Sequence, residues 1–315
     1  MQHFDEKKPN NKLNSILIKL AFALIIAFFC VIILFVLGDN DSLETKIIAF
    51  IIYFLLLVFL LFEFIRIFPL PKWVRFYLPL LSFIPFFYPW EELLNWFLGK
   101  NDLYSLNLLI NSQYQYKMFG IPGIGYLIQA ILVAIPFFFC KKQLIDVIKY
   151  YLVTYLIFLI LTITSKSFMY TNIENIYFIF FLIIGPIICD SFAYLGGILF
   201  GNKIFKNKKL APKISPNKTI EGAITGFLFT WLILFLILWF IHFKYLNVDD
   251  ITLVIVLPIF IPITSIIGDL IFSAIKRMLK IKDYSNLIPG HGGLLDRLDS
   301  IIITSFIFLP LFIVG

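Results

Sequence analysis

The sequence predicts an all-α, polytopic integral membrane protein of about nine transmembrane helices, N-terminus cytoplasmic and C-terminus outside. Three observations predict it. Hydrophobic residues make up 61% of the chain and charged residues only 14%, with a mean hydropathy of +0.95, whereas a soluble domain keeps about a quarter of its residues charged. Apolar runs long enough to cross a hydrocarbon layer of about 30 Å recur along the chain. Lysine and arginine then concentrate in alternate connections between those runs.

The N-terminal segment is polar and basic through Lys7, Lys8 and Lys12, and an apolar run over residues 16–37 follows. That run is too long for a signal-peptide core and lacks a small-residue cleavage site, so it reads as a retained first span. Further runs lie at 47–68, 120–140, 147–163, 176–200, 220–243, 251–275 and 301–314. A further run at 76–97 contains Pro79, Pro85 and Pro89 and is expected to be kinked, re-entrant or short. With the N-terminus inside, 21 of the 26 Lys and Arg residues fall on inner segments. Removing the proline-rich span would move Lys141, Lys142 and both basic C-terminal loops to the outer side, against the charge rule. The net charge of +7 is thus spread over inner loops rather than gathered into a nucleic-acid-binding face. Cys30, Cys140 and Cys189 are isolated within apolar stretches, which excludes a CxxC zinc site or a disulfide framework. The outer stretch 100–117 is rich in Asn, Ser and Tyr and carries no evident chemistry. Two regions result: 1–172, about five spans serving as scaffold, dimer contact or lipid-facing surface, and 173–315, about four spans with two cytoplasmic loops that hold the chemistry.

Ionisable groups at membrane depth are costly and mark functional candidates. Asp190 lies in IICDSFAYLGGILFG, with Tyr194 and Gly197 at i+4 and i+7, and Gly196, Gly197 and Gly201 allow close helix approach. Its blander role is a carboxylate bonded to a neighbouring helix for packing. Ser265, Asp269, Ser273 and Lys276 form a polar stripe on one face of an otherwise apolar helix, suited to lining water or ligand; a structural Asp269–Lys276 pair is the alternative. The segment KIKDYSNLIPGHGGLLDRLDS follows. Pro289, Gly290, Gly292 and Gly293 forbid regular helix and let backbone N–H groups approach an anion. A helix can restart near Leu294, placing Asp296, Asp299 and Ser300 on one face. A glycine loop feeding a helix start suits phosphate, and carboxylates beside phosphate call for a divalent cation between them. Oxygen-only ligands point to Mg²⁺ or Mn²⁺, and His291 is better placed to donate to phosphate or backbone than to act as a base. Upstream, KLAPKISPNKTIEG offers Ser215 and Pro216 as N-cap and first residue of a helix, with Lys218, Thr219 and Glu221 on its first turns. Lys213 and Lys218 would bind anions there, unless these lysines serve topology alone.

The 27 residues from Ser273 to Asp299 join S, KR, KD, PGHGG and LDRLD in one order. With DSFAY and SPNKTIEG upstream, residues 190–300 resemble the phosphatidate cytidylyltransferases (CDP-diacylglycerol synthases). The resemblance implies transfer of the CMP moiety of CTP to phosphatidic acid, giving CDP-diacylglycerol and pyrophosphate. It implies a homodimer in a bacterial-type plasma membrane, a polar cavity open to the cytoplasm, and Mg²⁺ and K⁺ near Asp269 and Asp296. Many such proteins carry Arg where this chain has Ile198, so another cation would replace it if that Arg meets the nucleotide. Asp269 and Asp296 are then the expected metal ligands, with Asp283 and Asp299 on the nucleotide side. Lys218, Lys276, Arg277 and Arg297 are expected to neutralise phosphates, and the Gly290–Gly293 backbone to cradle them. Asp190, Ser215, Thr219, Glu221, Ser273 and His291 complete the expected substrate-binding set. A CTP-dependent polyprenol or phytol kinase is the near alternative. A secondary transporter is the distant one, disfavoured because intramembrane polar residues sit almost wholly in the second half. A CDP-alcohol phosphatidyltransferase lacks its DG-x-x-AR element here.

Overall fold

The computed structural model describes residues 43–68, 70–87, 121–138, 143–174, 176–201, 203, 208–242, 251–287 and 292–314. Its elements are α1 (Leu43–Ile65), α2 (Lys72–Leu80), α3 (Phe83–Phe87), α4 (Ile121–Phe138), α5 (Leu144–Glu174), α6 (Ile176–Phe200), β1 (Lys209–Ala211), β2 (Ser215–Thr219), α7 (Ile220–His242), α8 (Ile251–Met278) and α9 (Leu295–Val314). Among the described residues five helical stretches are long and apolar enough to cross a membrane: Ile47–Ile65, Leu144–Phe168, Phe178–Phe200, Ile220–Phe240 and Val254–Met278. Residues 16–37 and 100–117 lie outside the described residues.

One expectation is corrected. The chain is not purely helical, because β1 and β2 form an antiparallel hairpin with Ala211 opposite Ser215 and Lys209 opposite Thr219. Over its described part, the proline-bearing run starting at residue 76 is broken into short helices, α2 and α3, as its prolines lead one to expect. Pro79 and Pro85 each lack an amide hydrogen and crowd the preceding turn. Ser82 takes up the carbonyl of Pro79 through its hydroxyl at 2.6 Å.

The helices are apolar on both sides, as lipid contact requires. On α1, Leu57, Leu61 and Phe64 are buried while Ile51, Leu55 and Phe59 face outward. The inward face joins a cluster that includes Phe158 and Leu161 of α5, Phe272 of α8 and Leu295 of α9, so the N- and C-terminal regions share one core. A second cluster joins α6, α7 and α8 through Leu182, Leu234 and Ile261.

Several contacts gather the basic segments at one end of the bundle. Lys149 at the start of α5 donates to the carbonyl of Met278 at the end of α8, 2.8 Å away. Arg277 reaches the carbonyl of Ile214 in the β1–β2 turn at 3.1 Å. Glu63, in the last turn of α1, reaches the first amide of α9. Among the described residues α1, α6 and α8 therefore finish at the end of the bundle where α5, α7 and α9 begin.

Among the described residues α6 packs extensively against α7, and small residues permit it. A methyl group placed on Gly226 would sit 2.8 Å from the carbonyl oxygen of Cys189 and 2.9 Å from Cβ of Ala193. One on Gly222 would meet the carbonyl oxygen of Ala193 at 2.6 Å. Backbone cannot yield as a flexible side chain can. Gly226→Val is therefore expected to destabilise the bundle by about 1–3 kcal/mol through overpacking, read as a lowered midpoint of thermal unfolding in detergent; an unchanged midpoint would contradict this packing.

Candidate active site

The charged end of the bundle is built around the last three turns of α8. Ser273 donates its hydroxyl to Oδ1 of Asp269 at 3.2 Å, across one helical turn. The other oxygen of Asp269 pairs with the ammonium of Lys218. Lys276, one turn beyond Ser273, crosses to Oδ1 of Asp296 at 2.8 Å, with its ammonium 5.4 Å from the ring centre of Tyr284. The stripe read from the sequence is thus real, but Asp269 and Lys276 do not pair with each other. Each is neutralised from a different element.

Lys218 does not sit on a helix. Residues 215–219 are strand β2, and the cap of α7 is Thr219, whose hydroxyl accepts from the amide of Gly222 at 3.1 Å. The expected Ser215–Pro216 cap is corrected accordingly: Ser215 is paired in the hairpin and the residues after it continue the strand, so no helix begins until Ile220. Glu221 does occupy the first turn of α7 and is buried there, where a carboxylate favours the amide end of the helix. Burial pulls the Lys218 ammonium below its ordinary range, against the opposing pull of the Asp190 and Asp299 carboxylates. Asp190 accepts from the hydroxyl of Ser300 at 3.2 Å and also feels the charge of Arg297. Asp299, 7% exposed, accepts from the amide of Ser300 at 2.8 Å and lies within the fields of Lys276 and Lys218. Two lysines are therefore interspersed among four carboxylates: Lys218 lies among Asp269, Asp190 and Asp299, and Lys276 between Asp299 and Asp296.

The loop between α8 and α9 is fixed at both ends. Helix α8 stops with Lys280 in the left-handed conformation (φ 59°), the amide of Ile281 returning to the carbonyl of Lys276 at 3.0 Å and that of Lys280 to Arg277 at 3.1 Å. Tyr284 is buried against Phe64 and Phe272, and its hydroxyl bonds the carbonyl of Phe272 at 3.1 Å. Oδ2 of Asp296 then accepts the amides of Tyr284 (2.8 Å) and Gly293 (2.9 Å), tying the two arms of the loop together. Gly292 adopts φ 84°, where other residues are strained, with Asp296 and exposed Asp283 against it. Pro289, Gly290 and His291 lie outside the described residues.

Some residues missing from the sequence reading belong here. Glu63 caps α9 and bonds Ser285, Tyr284 supplies the wedge under the loop, and Lys149 caps α8. Glu63 carried a signal: it is an acid inside the apolar stretch LLFEFIRIF. Tyr284 and Lys149 carried none. Arg277 is exposed, with its guanidinium on the carbonyls of Ile214 (3.1 Å) and Ile281 (3.4 Å), so it ties the hairpin to the end of α8.

The donor set at this end suits a hard divalent cation: the carboxylates of Asp190, Asp269, Asp296 and Asp299 and the hydroxyls of Ser273 and Ser300, with no sulfur or imidazole among them. Among the described residues no three acids, histidines or cysteines converge as a ready-made metal cage. Mg²⁺ asks for none, since one or two carboxylates suffice when substrate phosphates and water complete its shell.

The chain matches the cytidylyltransferase family across residues 11–314. It is similar to the phosphatidate cytidylyltransferase of Rickettsia conorii, 44% identical over 121 residues, which is 38% of this chain and 50% of that protein. It is 41% identical to the Rickettsia felis phosphatidate cytidylyltransferase over 160 residues, 49% of this chain and 67% of that protein. The Haemophilus influenzae phosphatidate cytidylyltransferase is 42% identical over 112 residues, 36% of this chain and 37% of its own length. The matched stretch thus spans about half the length of these relatives.

The tie between Arg277 and Ile214 carries its own expectation. Arg277→Ala should release the hairpin, so that trypsin cuts at Lys208, Lys209 or Lys213 about 3- to 10-fold faster while cleavage elsewhere is unchanged. Unchanged cutting would mean that other contacts hold the hairpin.

Proposed function

Since the chain belongs to the cytidylyltransferase family, we propose that it transfers the CMP moiety of CTP to phosphatidic acid, releasing pyrophosphate and forming CDP-diacylglycerol. The observation that carries this reading is the cluster of four carboxylates held by two ammonium groups beside a glycine-bearing connection, at the lysine- and arginine-rich end of an apolar bundle. Relatives named phosphatidate cytidylyltransferase support the substrate pair.

The reaction needs no general base. A phosphate oxygen of phosphatidic acid, already anionic at neutral pH, forms the new bond to the α-phosphorus of CTP. The bond from that phosphorus to the bridging oxygen breaks, and pyrophosphate leaves with the electron pair. The obstacle is the mutual repulsion of two anions, so catalysis rests on positioning and charge compensation. Lys218 and Lys276 are paired with carboxylates in the free protein and would turn toward phosphoryl oxygens when these arrive. Arg297 would add charge from the first turn of α9, and Arg277 would keep the hairpin that carries Lys218 in register. Backbone amides of the glycine loop, with His291, would bond the phosphates; Asp283 and Asp299 would face the nucleotide. Mg²⁺ would be held by Asp269 and Asp296, with K⁺ as a second cation. When bound, the metal supplies compensation for the charge that develops on pyrophosphate.

The topology of this reading is about nine spans, N-terminus inside and C-terminus outside, which sets the charged end at the cytoplasmic face of a bacterial-type plasma membrane. CTP is met there, and the lipid head group lies at the same interface. Two copies would form a homodimer.

The test is purified protein with labelled CTP and phosphatidic acid, with and without Mg²⁺. Formation of labelled CDP-diacylglycerol together with pyrophosphate is expected; formation of CDP would favour lipid phosphorylation by the γ-phosphate instead. Asp269→Asn and Asp296→Asn should each lower turnover by at least about 100-fold while the protein remains inserted, and turnover retained in both would break the metal assignment.

Lys218 gives a pH signature. Its proton affinity is lowered on folding, so its charge is lost as pH rises through a value below the ordinary lysine range. Between that value and the ordinary one the unfolded chain binds the extra proton, and this group makes stability increase with pH there. Activity moves the other way: kcat/KM should fall on that alkaline limb, and Lys218→Arg, which stays charged, should shift the limb upward. A limb that does not move would remove Lys218 from phosphate binding.

A further inference from the structure

Two carboxylates bridge the two arms of the loop between α8 and α9, and only one of them belongs to the site described above. Asp296 ties Tyr284 to Gly293. Glu63, from the last turn of α1, ties the same arms one residue further along the first and two along the second: its Oε1 accepts from the hydroxyl of Ser285 at 2.6 Å, and its Oε2 from the amide of Leu295 at 3.0 Å. Glu63 is 4% exposed, and a methyl group on Gly293 would collide with its Oε1. The loop's last glycine is therefore shaped around a side chain contributed by a helix more than two hundred positions upstream.

We infer that Glu63 is the positioning residue that closes the neck of the glycine loop, holding it in shape independently of Asp296. The inference rests on the proposed phosphate-handling role of that loop. The distinction matters because Asp296 already serves three partners, Lys276, Tyr284 and Gly293. A carboxylate that must also meet a cation or an incoming phosphate cannot be the sole clasp of the loop. Glu63 is free to serve as a second clasp, since its two bonds go to Ser285 on one arm and to the first amide of α9 on the other. The amide of Leu295 is one of the first N–H groups of α9, which have no partner inside the helix, and a buried one left unmet is costly. The aromatic contact of Phe64 with Tyr284, 5.8 Å between ring centres, fixes the same turn of α1 against the first arm.

Glutamine at this position separates hydrogen bonding from charge. Its carbonyl oxygen can accept from Leu295, and its amide group can donate to the hydroxyl oxygen of Ser285, which accepts as readily as it donates. Alanine loses both bonds. Glu63→Ala should raise KM for CTP about 10-fold or more, with kcat per folded molecule changed much less, and Glu63→Gln should restore KM to within about 3-fold. Amide exchange of peptides covering 281–287 and 292–300 should accelerate in Glu63→Ala, while peptides from α6 and α7 keep their protection. CTP kinetics of Glu63→Ala within twofold of the wild type would overturn the inference. So would equal losses in the Ala and Gln variants, or faster exchange throughout the bundle, which would make Glu63 a general stabiliser. If the wild type itself makes no CDP-diacylglycerol, the proposed activity fails, and exchange alone decides the neck: unchanged exchange in Glu63→Ala would then refute it.

Discussion

Carboxylates at the edge of a hydrocarbon layer must be neutralised, and the described end of this bundle is organised by that requirement. Removing one partner from a buried ion pair costs about 3–5 kcal/mol, because the survivor is left charged and poorly solvated. Here Asp269, Asp190, Asp299 and Asp296 are held by two lysines, one from a strand and one from a helix. Each lysine serves more than one acid. The elements carrying them, β2, α6, α8 and α9, cannot shift independently without exposing a charge, so electrostatic closure fixes their relative placement at this end. Apolar packing and close glycine contacts fix it at membrane depth.

The same arrangement explains how an acidic cluster can serve anions. Lysines paired with carboxylates are balanced, and an arriving phosphate competes with a carboxylate for the same ammonium. The exchange is nearly neutral in charge-pair count, whereas phosphate entering a bare acidic cleft would meet only repulsion. In the proposed reaction a hard cation would make the exchange more favourable by taking up the carboxylates the lysines leave. Oxygen donors on α8 and α9 next to lysines from β2 and α8 supply both halves of this trade.

Much of this was legible in the sequence because its strongest signals are coarse physical ones. Length of apolar run located α1 and α6 to α8 within a few residues but stopped α5 well short of Glu174, and the PGHGG segment announced a break with a helix restarting near Leu294, where α9 begins at Leu295. What was misread depended on short range. Ser215–Pro216 is a sound capping dipeptide in isolation, yet hairpin pairing with Ala211 outweighs it and passes the cap to Thr219. The alternative of a structural Asp269–Lys276 pair is the one that fails: strand β2 and helix α9 supply the partners, and spacing along one helix carries no information about them.

Glu63 marks a different gap. An acid in an apolar span is a functional signal whichever half of the chain holds it, and the expectation that chemistry is confined to residues 173–315 obscured it. The geometry reverses the emphasis. The cluster around Phe64, Phe272, Tyr284 and Leu295 belongs to both regions, and Glu63 stands at its polar rim. A loop of glycines is by nature underdetermined: its residues are chosen for conformational freedom, so order must come from outside it. Asp296 supplies part of that order from within the site. The remainder comes from α1, whose burial beneath the loop makes the carboxylate rigid and therefore able to fix the glycine that meets it. The N-terminal helix thus contributes to the shape of the site through packing, even though the charges that face the proposed substrates come from elsewhere.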